Sequence, residues 1–564
     1  MKQIPLNSVD YYTTFADFLS GISHKYSAKP AISYFTRRKE ERCYTYGELT
    51  AQVFALRAAL TARGLAGKHI ALVGENSYRW ILTYLAVAAS GGVVVCIDIE
   101  QPVDAIREMI LAADAAAIFA SSSCLSICAP LVGEDSSVRL LAALEDEPSE
   151  PNVAGFAALC EEGRALLDEK GDPCQGLRIN PTQTAAIVYT SGTTSTSKPV
   201  MLSQQGILHN ASDAMAYVSL GGRVFTSLPF YHTYGMTCSV LTGLIVGAHV
   251  FINGDLKTVM RDLHLSNPVT MMSVPLLIEA IHNQIWLSAE KEGKAAGLQK
   301  LFKIQRIASK LHLSWRSKVL DDIRKKAVGS LRIMISGGAH LSPDIEEEFE
   351  LLGILVLQGY GITECAPLIS VNRNELHKTG TVGMALHGCA AKTVDGEIWF
   401  KGINVMNGYY KSPELTAEVM EDGWFKTGDL GSIDKDGFIT ITGRKKSLIV
   451  FKNGKKISPE KLEEQLRKIP LVKDVLVYGA PTGVSADDVK LSASIYPDPE
   501  RAAGLSSYEI LEHLQQEVNK INSDLPLYQQ VQMIHIREQE FSKTASKKIK
   551  RNQVPQEEGE NIYA

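Results

Sequence analysis

Residues 69–120 read HIALVGENSYRWILTYLAVAASGGVVVCIDIEQPVDAIREMILAADAAAIFA, and the fold class turns on them. Short apolar runs (HIALVGE, VVVCIDI, AAIFA) alternate with the longer stretches Tyr78–Ala89 and Val103–Ala113, whose patterns suit helices. A parallel strand covered on both faces is apolar throughout rather than alternating, and it reaches its neighbour through a crossover helix. The alternation therefore predicts an α/β fold built on doubly wound, mainly parallel sheets. One piece of it, Trp80 to Ile97, approaches the length of a bilayer span. Gly91-Gly92 divides it into a Leu- and Ala-rich half and a Val-rich half, so helix followed by buried strand is the better reading.

Outward from this stretch, strands of the same kind are expected at Ala185–Tyr189, Val224–Leu228, His249–Ile252, Thr270–Ser273 and Leu331–Ser336. Cys128 to Asn180, richer in Glu, Asp, Pro and Gly, reads as a surface connection. Trp286 to Val328 is basic, with Leu301, Phe302, Ile304, Ile307, Ala308, Leu311 and Leu313 at roughly helical spacing. Two roles stay open for it: a helix packed on the body, or peripheral contact with an anionic membrane. The texture changes again at Arg444, where a small α+β domain begins, with a helix at Pro459–Lys468, a strand near Val475–Val477 and a helix around Tyr508–Asn522. The expected domains are 1–443 and 444–564, since 564 residues exceed what one core serves.

Composition excludes several classes. With 45% apolar and 21% charged residues the chain is an ordinary globular one, and a net charge of -5 gives no global reason to bind nucleic acid. Nine scattered cysteines without a Cys-x-x-Cys pair suit a reducing compartment, not a zinc site or disulfide framework. The start, MKQIPLNSVDYYTTF, lacks the charged and apolar regions of a secretory signal, so a cytoplasmic protein is expected.

Chemistry concentrates in five segments. In AAIVYTSGTTSTSKPVMLS (Ala185–Ser203) a strand runs into a series of hydroxyls. Backbone N–H groups with Thr190, Ser191, Thr193 and Thr194 can surround phosphate oxygens, Gly192 supplies backbone freedom and Lys198 a countercharge. A Walker loop is excluded because Ser197 and Pro199 stand where Gly and a magnesium-binding hydroxyl are needed. LQGYGITECAPLIS (Leu357–Ser370) is expected to end a strand in a Gly-Tyr-Gly turn, offering an aromatic face, a hydroxyl and a carboxylate. GWFKTGDL (Gly423–Leu430) places Asp429 in a predicted turn, where a lone carboxylate can accept two ribose hydroxyls. ITGRKK (Ile441–Lys446) and SKTASKKIKR (Ser542–Arg551) complete the set.

In this order, the five segments resemble the adenylate-forming superfamily of acyl-CoA synthetases, adenylation domains and luciferases, over roughly residues 40 to 551. The chain looks most like bacterial long-chain fatty acyl-CoA ligases, on VPLLIEAIHNQI (Val274–Ile285), the basic insert after it, GYGITECAPLISVN and GRKKSLIVFKNGKKISPEKLEE. The resemblance implies a large AMP- and acyl-binding domain and a smaller mobile C-terminal domain, with ATP, Mg2+ and CoA as reactants or cofactors. It implies that Thr190 to Lys198 bind phosphate, that Ser336, Gly337, Gly338 and Ala339 flank adenine and substrate, and that Tyr360, beside Gly361, is the stacking aromatic. Thr363 and Glu364 match the phosphate hydroxyl and the magnesium carboxylate, Asp429 and Arg444 the ribose contacts, and Lys548 the catalytic lysine. Lys446 matches the hinge, and the basic stretch from Arg444 to Lys456, containing Gly454, suits the phosphates of CoA. His232, in LPFYHTYGMT, is open to two roles, a gate on the acyl pocket or a core histidine.

The chain departs from the family pattern in three places. Thr194-Ser195-Thr196-Ser197-Lys198-Pro199 lacks two glycines and inverts proline and lysine, Gln204 stands where histidine is common, and Lys547 replaces a glycine. The expected function is ATP-dependent activation of a medium- to long-chain fatty acid, then transfer to CoA. The alternatives are loading of an acyl carrier protein and, in another class, a non-catalytic nucleotide or acyl sensor.

Overall fold

The computed structural model describes residues 6–133, 136–146, 152–190, 197–311, 317–451, 455–481, 489–543, 549 and 551. Two compact units divide the chain: residues 1–190, 197–390 and 400–425 form the first, and 191–196, 391–399 and 426–564 the second.

The first unit holds two sheets. One has the strand order Gly408–Tyr409, Pro199–Ser203, Thr184–Tyr189, Val93–Ile97, His69–Val73, Ala117–Ala120, Leu140–Ala143. Its last five strands are parallel, with Ile70 opposite Val94 and Ala117, and Val94 opposite Ala186. The other has nine strands in the order Met384–Ala385, Leu368–Val371, Leu355–Gly361, Ile333–Ser336, Thr270–Ser273, Arg223–Thr226, His249–Ile252, Pro30–Phe35, Glu41–Thr45, parallel through its middle and antiparallel at both edges. The expected α/β class with mainly parallel sheets is what folds.

The quoted stretch behaves as its pattern predicts. Ser77 caps the helix Tyr78–Ala89 by accepting from the Trp80 amide at 3.1 Å, and the chain turns at Gly91 (φ +72°) into Val93–Ile97. A Cβ on Gly92 would lie 2.9 Å from the Lys68 carbonyl oxygen, so glycine allows the strand to start that close to its neighbour. No helix among the described residues is long and apolar enough to cross a membrane.

Cys128–Asn180 is more than a surface connection. It contributes the edge strand Leu140–Ala143 and the helix Phe156–Lys170, which buries Phe156, Leu159, Cys160 and Gly163. That helix packs on Tyr46–Ala62 so closely that a Cβ on Gly163 would fall 1.7 Å from the Ala55 carbonyl oxygen. The acidic composition reflects the outer face of this helix, where Glu161, Asp168 and Glu169 are exposed.

In the second unit the strand Val472–Pro481 pairs antiparallel with Val489–Pro497, which pairs parallel with Met533–Ile536. Helices Pro459–Arg467 and Ser507–Ser523 cover it through Leu462, Leu466, Leu514 and Val518. Helix, strand and long helix therefore occur where the sequence places them.

Candidate active site

In open parallel sheets, ligands bind beyond the carboxyl ends of the strands. In the first unit the candidate residues gather there. Ser336 ends the Ile333–Ser336 strand opposite Gln358 of Leu355–Gly361, so Gly337–Ala339 and Tyr360–Glu364 leave adjacent parallel strands at one edge. The Gly-Tyr-Gly segment is not a turn as expected. It extends the strand and pairs antiparallel with Leu368–Val371, Tyr360 opposite Ser370, because the returning chain takes up its backbone bonds. The turn comes later, at Thr363–Cys365. Gly361 is required by close approach: a Cβ there would lie 2.4 Å from the Pro367 carbonyl oxygen.

Gly337 and Gly338 form a cradle after the Ile333–Ser336 strand. Gly338 sits at φ +87°, and a Cβ on Gly337 would meet the Tyr234 ring at 3.0 Å. Tyr234 ties two strand ends together, its hydroxyl donating to the carbonyls of Ser273 at 3.0 Å and Ile335 at 2.9 Å. The Ser336 hydroxyl is buried and has no hydrogen-bond partner among the described residues, a polar group suited to a polar ligand edge.

His232 lies at the bend after the Arg223–Thr226 strand, just before a π-helical segment, Tyr234–Leu241. Asn76 fixes this bend by donating to the Leu228 carbonyl at 2.7 Å and accepting from the Phe230 amide at 2.9 Å. Gly235 lets the helix close on the bend, since its Cβ would fall 2.0 Å from the Pro229 carbonyl oxygen. Wide turns of this kind open a helix near ligand sites.

Thr190 and Lys198 are hydrogen-bonded to each other. The Thr190 amide donates to the Lys198 carbonyl at 3.0 Å, and the Lys198 amide donates to Thr190 Oγ1 at 3.2 Å. Ser191, Gly192, Thr193 and Thr194 lie outside the described residues. Lys198 Nζ stands 4.8 Å from the centroid of the Tyr409 ring, and the Tyr409 hydroxyl donates to Glu364 Oε1 at 2.8 Å. A cation, an aromatic ring and a carboxylate are thus strung together where the two sheets of the first unit meet. Burial, and next the Glu364 charge, push the Tyr409 phenol well above its ordinary range, so it remains a donor. The backbone carbonyl of Glu364 accepts from the Met406 amide at 2.8 Å.

Sequence reasoning missed Tyr409 and two asparagines behind the turn. Asn404 donates to the carbonyls of Cys365 at 2.7 Å and Leu368 at 3.0 Å; Asn210 donates to the same Leu368 carbonyl at 2.8 Å and accepts its amide at 3.0 Å. Only the Asn407-Gly408 turn signal ahead of Tyr409 marks the place in the sequence.

The remaining candidates belong to the second unit. Asp429 lies within the Trp424–Ile433 strand rather than in a turn, because residues 429–433 pair with Ile439–Arg444. It is directly opposite Arg444, whose Nε is 3.2 Å from its Oδ1. Beside them Glu397 accepts from the Gly428 amide at 2.9 Å and pairs with Lys445 Nζ at 2.9 Å. Lys446 is exposed on the turn Lys445–Ser447. Gly454 and Lys548 lie outside the described residues. Lys543 and Ile549 form an antiparallel bridge, with Lys543 on Asp474 at 2.7 Å and Arg551 on Glu463 at 2.5 Å.

Magnesium commonly takes one or two carboxylates and leaves its other positions to phosphates and water. Glu364, whose Oε1 accepts from the Tyr409 hydroxyl, is a carboxylate of the kind that would suit such an ion; among the described residues no group of three or more His, Cys, Asp or Glu side chains could hold a metal by itself.

A family model described as AMP-binding enzyme matches residues 22–410, and one described as AMP-binding enzyme C-terminal domain matches 446–564. The chain belongs to the AMP-binding enzyme family, as its motifs implied. A long-chain-fatty-acid–CoA ligase of Mycobacterium bovis is 30% identical over 489 residues, 82% of this chain and 78% of the relative. A chloroplastic long-chain-fatty-acid acyl-carrier-protein ligase of Arabidopsis thaliana is 27% identical over 568 residues, 85% of this chain and 76% of the relative. Among solved structures, an anthranilate CoA ligase in complex with anthranoyl-AMP shares the fold with a TM-score of 0.77 at 19% identity, covering 99% of both chains.

Proposed function

We propose that the protein activates a medium- to long-chain fatty acid with ATP, forming an acyl adenylate and pyrophosphate, and then transfers the acyl group to CoA with release of AMP. The string Lys198–Tyr409–Glu364 carries this reading, because one ring holds a cation and a carboxylate together. The 30% identical long-chain-fatty-acid–CoA ligase of Mycobacterium bovis supports the substrate class.

In the first half-reaction a carboxylate oxygen attacks the α-phosphorus, the bond to the bridging oxygen breaks, and pyrophosphate leaves. Thr190 to Thr194, Lys198, Thr363 and Lys548 neutralise the charge gathering at phosphorus; removing one well-aimed donor costs about 10² to 10³ in rate. A Mg2+ ion on Glu364 would add charge neutralisation of the same kind. Tyr360, Gly361 and Gly337–Ala339 receive adenine, Asp429 and Arg444 the ribose hydroxyls, and His232 gates the acyl pocket. In the second half-reaction the CoA sulfur, losing its proton, attacks the acyl carbon and the C–O bond to AMP breaks. Lys446 is the hinge, and the basic segment with Gly454 binds CoA phosphates. The functional division at 443/444 is supported by the matches ending at 410 and starting at 446.

The test is ATP-dependent pyrophosphate release over a panel of acids from acetate to stearate, with and without CoA. No acid-dependent release with any member of the panel would sink the proposal. The acyl-carrier-protein ligase among the relatives favours one alternative acceptor, and product analysis with a carrier protein in place of CoA separates the two. Lys548→Ala should abolish adenylation while thioester formation from supplied acyl adenylate survives.

The helix Ala295–Lys310 supports a further element, peripheral contact with anionic membrane. It buries Leu298, Phe302 and Ala308 but leaves Ile304, Ile307 and Leu311 exposed by 42%, 59% and 63%, with exposed Lys300, Lys303 and Lys310 around them. Flotation with phosphatidylserine vesicles at low salt should carry the protein, and Ile307→Glu should prevent it.

A further inference from the structure

A cleft of about 550 Å³ lies in the first unit, between the N-terminal segment, the helix Gln204–Tyr217 and the loop around His387. None of the candidate active-site residues lines it. The N-terminal segment is held along the helix by the Asn7 amide on the Ala216 carbonyl at 2.9 Å and by Ser212 Oγ on the Asp10 carbonyl at 2.8 Å. The cleft is therefore walled by fixed backbone, in the size range of small-molecule sites.

Its one carboxylate is Asp213, 4% exposed, which accepts from the Tyr11 hydroxyl at 2.8 Å. Among the described residues no lysine or arginine lines the cleft; the titratable groups that interact with Asp213 are Tyr11, His387, Tyr217 and Cys389. Burial lowers the pKa of His209, which keeps it neutral, while its ring lies 5.2 Å from that of Tyr11. Burying a carboxylate is costly, and burial accordingly pushes Asp213 up to about 6, against the hydrogen bond from Tyr11 and the pull of His387. The aliphatic walls are Leu6, Val9, Ala216 and Ile403. The described residues here do not form a metal-holding group, so a metal ion is not the matching cation.

We propose that this cleft is a second ligand site, separate from acyl activation, which takes a small organic ammonium compound with an apolar or aromatic body. Asp213 is its counter-ion, the Tyr11 and His209 rings face its body, and the aliphatic side chains exclude water. The site has a route to the catalytic turn. His209 and Ile403 line the cleft, and their chain neighbours Asn210 and Asn404 hold the carbonyl of Leu368, with Asn404 also on that of Cys365, next to Glu364.

The experiment uses the full-length chain and three probes of one shape: benzylammonium, benzyl alcohol and benzoate. At neutral pH, where Asp213 is ionised, calorimetry should show benzylammonium binding about 10-fold or more tighter than the other two. Asp213→Asn should erase the preference. Ile403→Trp, at a 42% exposed position that tolerates a larger side chain, should fill the cleft and abolish binding of benzylammonium. Equal affinity for the three probes, or a cation preference that survives both substitutions, overturns the proposal. Neither outcome bears on acyl activation, which is read by pyrophosphate release.

Discussion

The Tyr409 hydroxyl donates to Glu364 Oε1 at 2.8 Å while the same ring lies under the Lys198 ammonium at 4.8 Å. The pairing register explains how: the Gly408–Tyr409 strand adds to Pro199–Ser203 with Tyr409 opposite Val200, so it stands beside the strand that Lys198 leads into. One aromatic side chain therefore sets the position of both charges.

Tyr409→Phe keeps the ring and removes the donor. A hydrogen bond to a charged acceptor contributes about 1.5–3 kcal/mol, so kcat/KM for ATP in pyrophosphate release should fall about 10- to 100-fold with little change in melting temperature. Tyr409→Ala should lose more, since Lys198 loses its ring. An unchanged kcat/KM in the phenylalanine variant removes Tyr409 from the site.

Asn404 and Asn210 share the Leu368 carbonyl, so their truncations should not be additive. Asn404→Ala leaves the Cys365 carbonyl short of a donor and Asn210→Ala leaves the Leu368 amide short of an acceptor, and each should cost about 1–3 kcal/mol in urea unfolding. The double variant should depart from the sum by about 0.5 kcal/mol or more. Strict additivity would show that the two amides act independently on the turn.

Gly163 has no room for a methyl group, its Cβ position being 1.7 Å from the Ala55 carbonyl oxygen. The obstacle is backbone, not a flexible side-chain end. Gly163→Ala should separate the helices Phe156–Lys170 and Tyr46–Ala62 and lower stability by about 1–3 kcal/mol or more, visible as an earlier midpoint in urea. A variant as stable as the parent would mean the helices can part at no cost.

Asp213 imposes a pH dependence of known sign. Its carboxyl is raised to about 6, so in the window from the ordinary carboxylate range up to that value the folded chain keeps a proton that the unfolded chain releases. Its contribution is favourable below this window and is lost as pH rises through it, by at most about 3 kcal/mol. Relative to Asp213→Asn, the parent should thus lose stability between about pH 4 and about pH 6 and then level off. A difference that stays flat across the window would contradict the raised value.

Much of the architecture was legible in order of appearance along the chain. His249–Ile252 and Thr270–Ser273 are strands with the bounds their apolar runs suggest, and Tyr78–Ala89 is the helix that Ser77 and Gly91 punctuate. The class of chemistry was legible too, because a series of hydroxyls, one glycine and a lysine crowd into one short loop after a strand. Gly-Tyr-Gly and Asp429 were misplaced in turns because whether a glycine-bearing segment bends or continues depends on a pairing strand elsewhere in the chain.

Local pattern by itself determined which segments are strands, which are helices and where phosphate chemistry concentrates, since periodicity and loop composition act over a few neighbouring residues. Only the tertiary structure decided that Tyr409 joins Lys198 to Glu364, that Asn210 and Asn404 meet on one carbonyl, and that Asp213 is buried under Tyr11. These contacts join residues separated by 36 to more than 200 positions. Hydrogen bonds and ring contacts act over a few ångströms in space, and no periodicity along the chain encodes which distant residues the packed sheets bring within that range.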